Sequence, residues 1–380
     1  MQFTLTEEQQ LLQQSAAAFV RESSPLRRIR ALRDSNDADG LSRTLWKQMA
    51  ELGWLGIIFA ADDGGLGLGY KDLAVVLEEL GKALVPEPLL STVLLGGSAV
   101  WLGGRAEQKQ AVLPPLIGGD LLLALAYQEP QSRYDVFNVA ARAERSGNGW
   151  RLSGEKRFVL DGHVADRLVI SARTAGTGNE RQGITLFLVD ARAAGISTTR
   201  QRLLDSRNAA IVRLDDVRVG RGDVIGTVDQ GGELLASVID RATAALSAEM
   251  LGGMLTAFHM TLDYLKTRQQ FGVPIGSFQA LKHRAAQMFV ETELARSAVM
   301  AAAMALDESS PRAAQTISVA KARCSDAFIV IANEAVQMHG GIGMTDEHDI
   351  GFFLKRARVA EITFGDAAFH RQRFATLAGY

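Results

Sequence analysis

The sequence predicts an α+β protein whose chain order is a helical part, a middle part of antiparallel strands and a second helical part. Near the N-terminus, apolar residues recur at helical spacing, as Leu11, Leu12 and Phe19 illustrate. From about residue 121 the pattern changes to short strand-like runs, and long runs rich in Ala, Leu and Met return from Gly231 onward. These two changes of period predict domains at residues 1–120, 121–230 and 231–380.

In the first part, a helix is predicted to begin after Thr6, which can form a reciprocal capping box with Gln9. A glycine-dense stretch at residues 62–69 is interpreted as a tight turn between helices. A phosphate-cradling loop would need a preceding strand, and none is indicated. The next helix is expected to stop at Gly81.

The middle part is predicted to be an antiparallel barrel or sandwich, because its strands follow one another without intervening helices. No Gly-x-Gly-x-x-Gly motif follows a strand, so a nicotinamide-binding domain is disfavoured. The predicted strands are Trp150–Leu160, Arg167–Ala172, Ile184–Val189 and Ala210–Leu214.

The third part contains three long helical runs with few polar positions. Such helices predict a bundle that buries faces against partner chains, in a dimer or a tetramer. The runs are Leu234–Arg268, Gln279–Leu306 and Pro311–Met338.

Composition narrows the possible functions. The 41 Lys and Arg against 43 Asp and Glu give a net charge of −2, which argues against binding to nucleic acid or to an anionic membrane. The single cysteine, Cys324, cannot form an intrachain disulfide or a cysteine zinc site, and no metal site is predicted. The N-terminus has no signal-peptide pattern, and no apolar run reaches the length of a membrane span. A cytoplasmic protein is therefore expected.

Five stretches, in order along the chain, resemble motifs of the acyl-CoA dehydrogenase family. They are Asp62–Gly67 with Glu78–Gly81, Gln128-Glu129-Pro130 with Asp135, Gly154–Gly162, Arg268–Gly272 with Phe278-Gln279, and Gln337–Gly343. The family consists of flavoproteins that desaturate acyl-CoA thioesters. The resemblance implies a helical N-terminal domain, a middle antiparallel β-barrel domain and a C-terminal four-helix bundle. It also implies FAD as cofactor, an acyl-CoA as substrate and electron-transfer flavoprotein as acceptor.

The resemblance assigns two groups of residues to FAD. Toward the pyrophosphate and adenine half it places Arg268, Phe271, Gln279, Gln337, Gly340 and Gly341. Arg268 would pair with the pyrophosphate of the FAD in the adjacent subunit. The two glycines would let backbone amides approach the dinucleotide, although the glycine pair alone would also fit a helix C-cap. Toward the flavin ring it places Gln128, Tyr134, Phe158, Val159 and Leu160. This ring group looks weakened, since Leu160 carries no hydrogen-bonding group.

The catalytic base of the family is a glutamate found in one of two slots. By resemblance, the helical slot corresponds to Ala242, and the C-terminal slot corresponds to Phe364, or to Gly365 if the frame moves by one. Neither slot holds an acid. Asp366 is a candidate for the base, and its alternative role is to cap the helix that starts at Ala367.

Within the family, the sequence most resembles the small subunit of bacterial two-subunit enzymes such as pimeloyl-CoA dehydrogenase. Ser132–Asp135, Tyr264–Arg268, Phe271–Ala280 and Phe364–Ala367 carry that likeness. It implies a base-lacking subunit that works with a large acyl-CoA dehydrogenase subunit in a heterotetramer, although a homo-oligomer stays open. The alternative is a non-catalytic structural partner of an active homologue.

Overall fold

The computed structural model describes residues 4–380. Its contacts group the chain into two compact units. Unit 1 contains the residues up to Ser35, Gly69–Pro86 and Thr243–Tyr380; unit 2 contains Asn36–Leu68 and Glu87–Ala242. The three-part division by residue number stays a prediction.

The N-terminal part is helical, as predicted. The first helix has the expected capping box: the Gln9 N–H donates to Thr6 Oγ1 at 3.2 Å, and the Thr6 N–H donates to Gln9 Oε1 at 3.2 Å. A π-helical stretch at Leu89–Gly97 was not predicted. The α-helices here are α1 (Glu7–Ser23), α2 (Arg27–Asp34), α3 (Arg43–Glu51), α4 (Tyr70–Lys82), α5 (Ser98–Gly103) and α6 (Ala106–Ile117).

The middle part is a mostly antiparallel sheet of eight strands between residues 123 and 225. The strands are β1 (Leu123–Ala126), β2 (Arg142–Ser146), β3 (Gly149–Leu160), β4 (Arg167–Arg173), β5 (Ile184–Asp190), β6 (Ile196–Arg202), β7 (Asn208–Val219) and β8 (Val224–Ile225). They lie in the order β6-β7-β3-β2-β4-β5-β8, and β1 pairs with β4 in parallel. Within this range the sheet is not closed, because its end strands, β6 and β8, do not pair with each other. The predicted antiparallel β-barrel is therefore not confirmed.

The core of unit 2 is built by alternation along these strands. Trp150 and Leu152 of β3 point to the same face as Phe187 of β5, and the Trp150 and Phe187 rings meet edge to face at 5.6 Å. All three side chains are at most 3% exposed. Burying such large aromatic groups stabilises this sheet, whose strands β1, β4 and β5 are buried on both faces.

The C-terminal part is helical, as predicted. The helices are α7 (Gly231–Thr267), α8 (Gln279–Asp307), α9 (Ala313–His339), α10 (Ile350–Ile362) and α11 (Ala367–Ala378); a short hairpin, β9 (Gln269–Gln270) and β10 (Val273–Pro274), joins α7 to α8. The helix α9 packs against α8, α10 and α11. The count of four helices in one bundle stays a prediction.

Small side chains let these helices approach closely. Ala244, Ala302, Ile317 and Ala320 form one buried cluster. Cys324 is fully buried in α9, as the sequence predicts for a small core residue, and burial raises the pKa of its thiol to about 12. Among residues 4–380, no helix is long and apolar enough to span a membrane.

Candidate functional site

The segment after α7 presents the Arg268 motif at the surface of unit 1. The Arg268 N–H donates to Tyr264 O at 2.8 Å, and the chain then turns back at Phe271 and Gly272, whose φ angles are 54° and 79°. Two consecutive left-handed residues form a tight hairpin turn, and glycine suits the second position. Phe271 is 91% exposed at the tip of this turn. In the described part of the chain, the Arg268 guanidinium is exposed and has no hydrogen-bond partner.

The second motif lies at the end of α9. Gly340 has φ 63° and ψ −141°, a conformation essentially restricted to glycine, and its N–H caps the helix by donating to Gln337 O. Gly340 is thus the helix C-cap that the sequence allows. Beyond that role, a Cβ placed at Gly340 or at Gly341 would meet no atom of residues 4–380 within 4 Å. The backbone is therefore open to close approach by a ligand.

The residues predicted to bind the pyrophosphate and adenine half of FAD have the chemical groups that a dinucleotide requires. An unpaired guanidinium, open backbone at two glycines and two exposed amides supply charge, N–H donors and room. Unit 1 places Arg268 at the end of α7, Gln279 at the start of α8 and Gln337 in the last turn of α9. Tyr264 and His339 stack with ring centroids 4.6 Å apart, so the ends of α7 and α9 are neighbours.

The residues predicted to face the flavin ring lie in unit 2 around β3. The Arg157 N–H donates to Gln128 O at 2.8 Å, which brings Gln128 beside β3. Phe158 is 47% exposed and has φ 48°, because the register of β3 against β7 shifts between Lys156 and Val159. A bulge of this kind turns a side chain away from the strand alternation.

The same region departs from a complete ring site. The Gln128 amide already donates to Arg133 O at 3.0 Å, and the Arg133 guanidinium lies over the Tyr134 ring at 5.3 Å. Val159 is fully buried in the sheet core, so only its backbone can face a ligand. Leu160 is half-buried and apolar.

A buried ion pair that the sequence interpretation missed supports this region. Lys156 is fully buried, and its ammonium donates to Glu129 Oε1 at 2.6 Å and to Ser171 Oγ at 3.0 Å. Glu129 also accepts from the Ala140 N–H at 2.8 Å. Burial alone would raise the pKa of Glu129, but the Lys156 charge and the hydrogen bonds hold it below its ordinary value. The pair ties the loop that contains Gln128 to β3. Lys156 lies an even number of residues after the inward-facing Trp150 and Leu152 of β3. This alternation was the sequence signal that its side chain points into the core.

The C-terminal slot for a base is a strained turn whose backbone carbonyls are held by two buried side chains. Phe364 has φ 61° and Gly365 has φ 117°. The fully buried Lys321 ammonium donates to Gly365 O at 2.7 Å and to Glu361 O at 2.8 Å, and the His370 ring contacts Phe364 O through Nε2 at 3.1 Å. Burial lowers the pKa of Lys321 to about 7. Lys321 and His370 were also missed, and a lysine within an otherwise apolar helical stripe was the available signal.

Neither slot gains a carboxylate in the structure. A Cβ at Gly365 would lie 2.4 Å from Phe369 Cδ1, so glycine is required there and Phe364 is the position that can hold a side chain. Asp366 caps α11 by accepting from the Phe369 N–H at 2.8 Å, the alternative role expected for it. Ala242 is fully buried in α7.

Protonation of His370 should couple stability to pH. Burial, aided by the Lys321 and Arg373 charges, lowers the pKa of His370 from 6.5 to about 3. Between pH 6.5 and about 3, the His370 ring is therefore protonated in the unfolded state and neutral in the folded state. The free energy of unfolding should fall as the pH drops through this range. Chemical unfolding over this pH range should show a shallower fall for His370→Phe than for the unmodified protein.

The exposed His259→Phe is the control and should leave that pH slope unchanged. Burial raises the pKa of Asp161 to about 6, so this residue makes the free energy of unfolding rise as the pH drops. The contribution is the same in His370→Phe and in the unmodified protein, and it cancels when the two slopes are compared. Identical slopes for His370→Phe and the unmodified protein would contradict the assignment.

The comparisons with known proteins agree with the motif resemblance. Family models of the acyl-CoA dehydrogenase N-terminal, middle and C-terminal domains match residues 6–120, 124–217 and 229–377. The chain is 30% identical over 377 residues to a probable acyl-CoA dehydrogenase of Bacillus subtilis (strain 168), with 98% of each chain covered. It is 32% identical over 380 residues to the mitochondrial isovaleryl-CoA dehydrogenase of Pongo abelii, covering 97% of this chain and 88% of that one.

Solved structures share the fold along the whole chain. PigA with FAD superposes with a TM-score of 0.92 at 26% identity, covering 100% of this chain and 99% of that one. The ChsE4-ChsE5 complex from Mycobacterium tuberculosis superposes with a TM-score of 0.90 at 26% identity, covering 100% of both chains. Since the family models match successive domains and the identity to relatives extends over nearly the full length, the chain belongs to the acyl-CoA dehydrogenase family.

Proposed function

We propose that this chain is an FAD-dependent acyl-CoA dehydrogenase that acts as the base-lacking subunit of a two-subunit enzyme, of the pimeloyl-CoA dehydrogenase small-subunit type. The observation that carries the proposal is a contrast within the molecule. The residues for the pyrophosphate half of FAD are exposed and open, whereas both base slots, at Ala242 and at Phe364, hold apolar side chains. The existence of a related complex of two named components supports a two-subunit arrangement.

In this proposal the chain binds and orients FAD. Arg268 would neutralise pyrophosphate charge of the FAD in an adjacent subunit, and Gly340 and Gly341 would allow close backbone approach. The Gln128 loop held by Lys156 would face a flavin ring. Bound FAD would supply the redox chemistry, the acceptance of a hydride from the β-carbon of the acyl group. The large subunit would supply the carboxylate that removes the α-proton, and electron-transfer flavoprotein would be the acceptor.

Exposed apolar side chains support assembly with another chain. Phe289, Val290 and Leu294 of α8 are each more than half exposed, in addition to Phe271. Apolar side chains on neighbouring turns of one helix are typical of an interface. We place the second copy, or the large subunit, on this face in a tetramer.

The non-catalytic structural partner remains the second candidate, because the apolar base slots and Leu160 also suit a protein without its own turnover. Flavin binding separates the two candidates. A structural partner would not depend on Arg268 for any property of the complex.

Replacing Arg268 by alanine should weaken FAD binding by about 10- to 100-fold, since a charge-assisted hydrogen bond to phosphate is lost. Titration of the flavin-free protein with FAD, followed by quenching of flavin fluorescence, measures this affinity. Arg21→Ala removes another exposed arginine, 70% exposed in α1, and should leave the affinity unchanged. Equal FAD affinity in Arg268→Ala and the unmodified protein would favour the structural partner.

A further inference from the structure

Three rings pack together at the ends of α7 and α9 in unit 1, beside the two predicted dinucleotide motifs. The Tyr264 and His339 rings are stacked, with centroids 4.6 Å apart and planes inclined by 28°, whereas the His348 ring packs against His339 at 4.5 Å with its plane tilted by 53°. Tyr264 lies in the last turn of α7, His339 is the last residue of α9, and His348 lies just before α10. We call these three residues the ring stack.

The central ring of the stack is held in one state. His339 is 2% exposed, and its Nδ1 contacts Ala335 O at 2.7 Å, so Nδ1 carries the proton. Its Nε2 is buried without a partner in the described part of the chain. A proton there would be a buried charge beside His348, and burial lowers the pKa of His339. The ring is therefore neutral, and it is the ring face, not a nitrogen, that contacts Tyr264.

Two of the three rings lie beside a motif, and the third lies beside α10. Tyr264 lies one helical turn before Arg268, and its backbone O accepts the Arg268 N–H at 2.8 Å, so the Tyr264 ring belongs to the turn from which Arg268 leaves α7. His339 precedes Gly340, whose left-handed φ turns the chain out of α9. On the other side, His348 Nδ1 accepts the Ile350 N–H at 3.1 Å at the start of α10.

We propose that the ring stack is a positioning element that fixes the spacing between Arg268 and the Gly340–Gly341 backbone for the dinucleotide. This inference rests on the proposed FAD binding. Both motifs are exposed, and beyond Gly340 and Gly341 the surrounding space is open. The packed rings between the helix ends therefore set their separation before the ligand arrives. Such preorganisation raises affinity because less order has to be created on binding.

The test measures FAD affinity and apoprotein melting temperature in matched variants of the full chain. His339→Ala removes the central ring and should weaken FAD binding about tenfold. His339→Phe keeps a flat neutral ring without nitrogens and should stay within about threefold of the unmodified protein. His259→Ala removes an exposed histidine of α7 outside the stack and should bind FAD normally. Rescue by phenylalanine is the signature of a stacking role.

Two results would overturn the inference: unchanged FAD affinity in His339→Ala, or equal loss in His339→Ala and His339→Phe, which would assign the role to a nitrogen. If His339→Ala does not fold, Tyr264→Leu takes its place, with Tyr264→Phe as the variant that should retain affinity. Failure of the unmodified protein to bind FAD would reject the proposed function itself. Normal binding that is insensitive to the stack would reject only this inference.

Discussion

Replacing Phe364 by glutamate should raise the acyl-CoA dehydrogenation rate of the isolated, FAD-loaded chain by about 10² to 10⁴, the usual contribution of a positioned base. Phe364 already occupies a left-handed conformation, so a glutamate adds no new backbone strain. Lys321 and His370 contact the turn through its backbone carbonyls and do not depend on the Phe364 side chain. Turnover with a panel of acyl-CoAs and an artificial electron acceptor measures the gain.

Phe364→Gln is the matched control, since it has nearly the same shape as the glutamate and no basic carboxylate. Ala242→Glu tests the helical slot in the same assay. Gly365→Glu is unsuitable because its Cβ would meet Phe369. An unmodified chain that already turns over at an ordinary enzyme rate would contradict the missing base, and Asp366→Asn would then test the remaining acid of this turn.

Replacing Lys156 by methionine should lower the free energy of unfolding by about 3–5 kcal/mol, the cost of leaving one partner of a buried ion pair without its counter-charge. The Glu129 carboxylate would stay buried with only its amide donors. Urea unfolding followed by circular dichroism measures the loss. The FAD affinity should fall as well, because the Gln128 loop would keep only backbone hydrogen bonds to β3.

The double variant Glu129→Leu with Lys156→Met removes both charges and should recover much of that stability. Lys71→Met, which removes an exposed lysine, should change the free energy of unfolding by less than about 0.5 kcal/mol. A loss below about 1 kcal/mol for Lys156→Met would show that the pair contributes little beyond a surface salt bridge.

Local sequence patterns could predict most helices and strands. The run Trp150–Leu160 corresponds to β3, and the long runs after Gly231 correspond to α7, α8 and α9 within a few residues. Period and capping are local properties, so a single sequence carries them. Whether the strands form a barrel or an open sheet depends on which strands pair across long stretches of sequence, as β1 pairs with β4 in parallel. The local pattern of a short strand does not specify its distant partner.

The candidate site was predictable to a different extent in its two halves. The Arg268 motif and the Gly340 motif are each a short continuous stretch of sequence, and the structure places the two stretches at neighbouring helix ends. The pair of Glu129 and Lys156 joins residues 27 apart through burial, and the contact of Lys321 with Gly365 joins residues 44 apart. The pairing of such buried charges is decided by tertiary packing. The ring stack was hidden for the same reason.

The central claim is that this chain binds FAD yet lacks the base for desaturation. Anaerobic titration of the purified, FAD-loaded chain with acyl-CoA tests it most directly, with the visible absorption band of oxidised flavin as the signal. We expect the band to be present in the unmodified chain and to persist on addition of acyl-CoA, and to bleach under the same conditions in Phe364→Glu or when the large subunit is added. A chain that cannot be loaded with flavin, or rapid bleaching of the unmodified chain alone, would contradict the account.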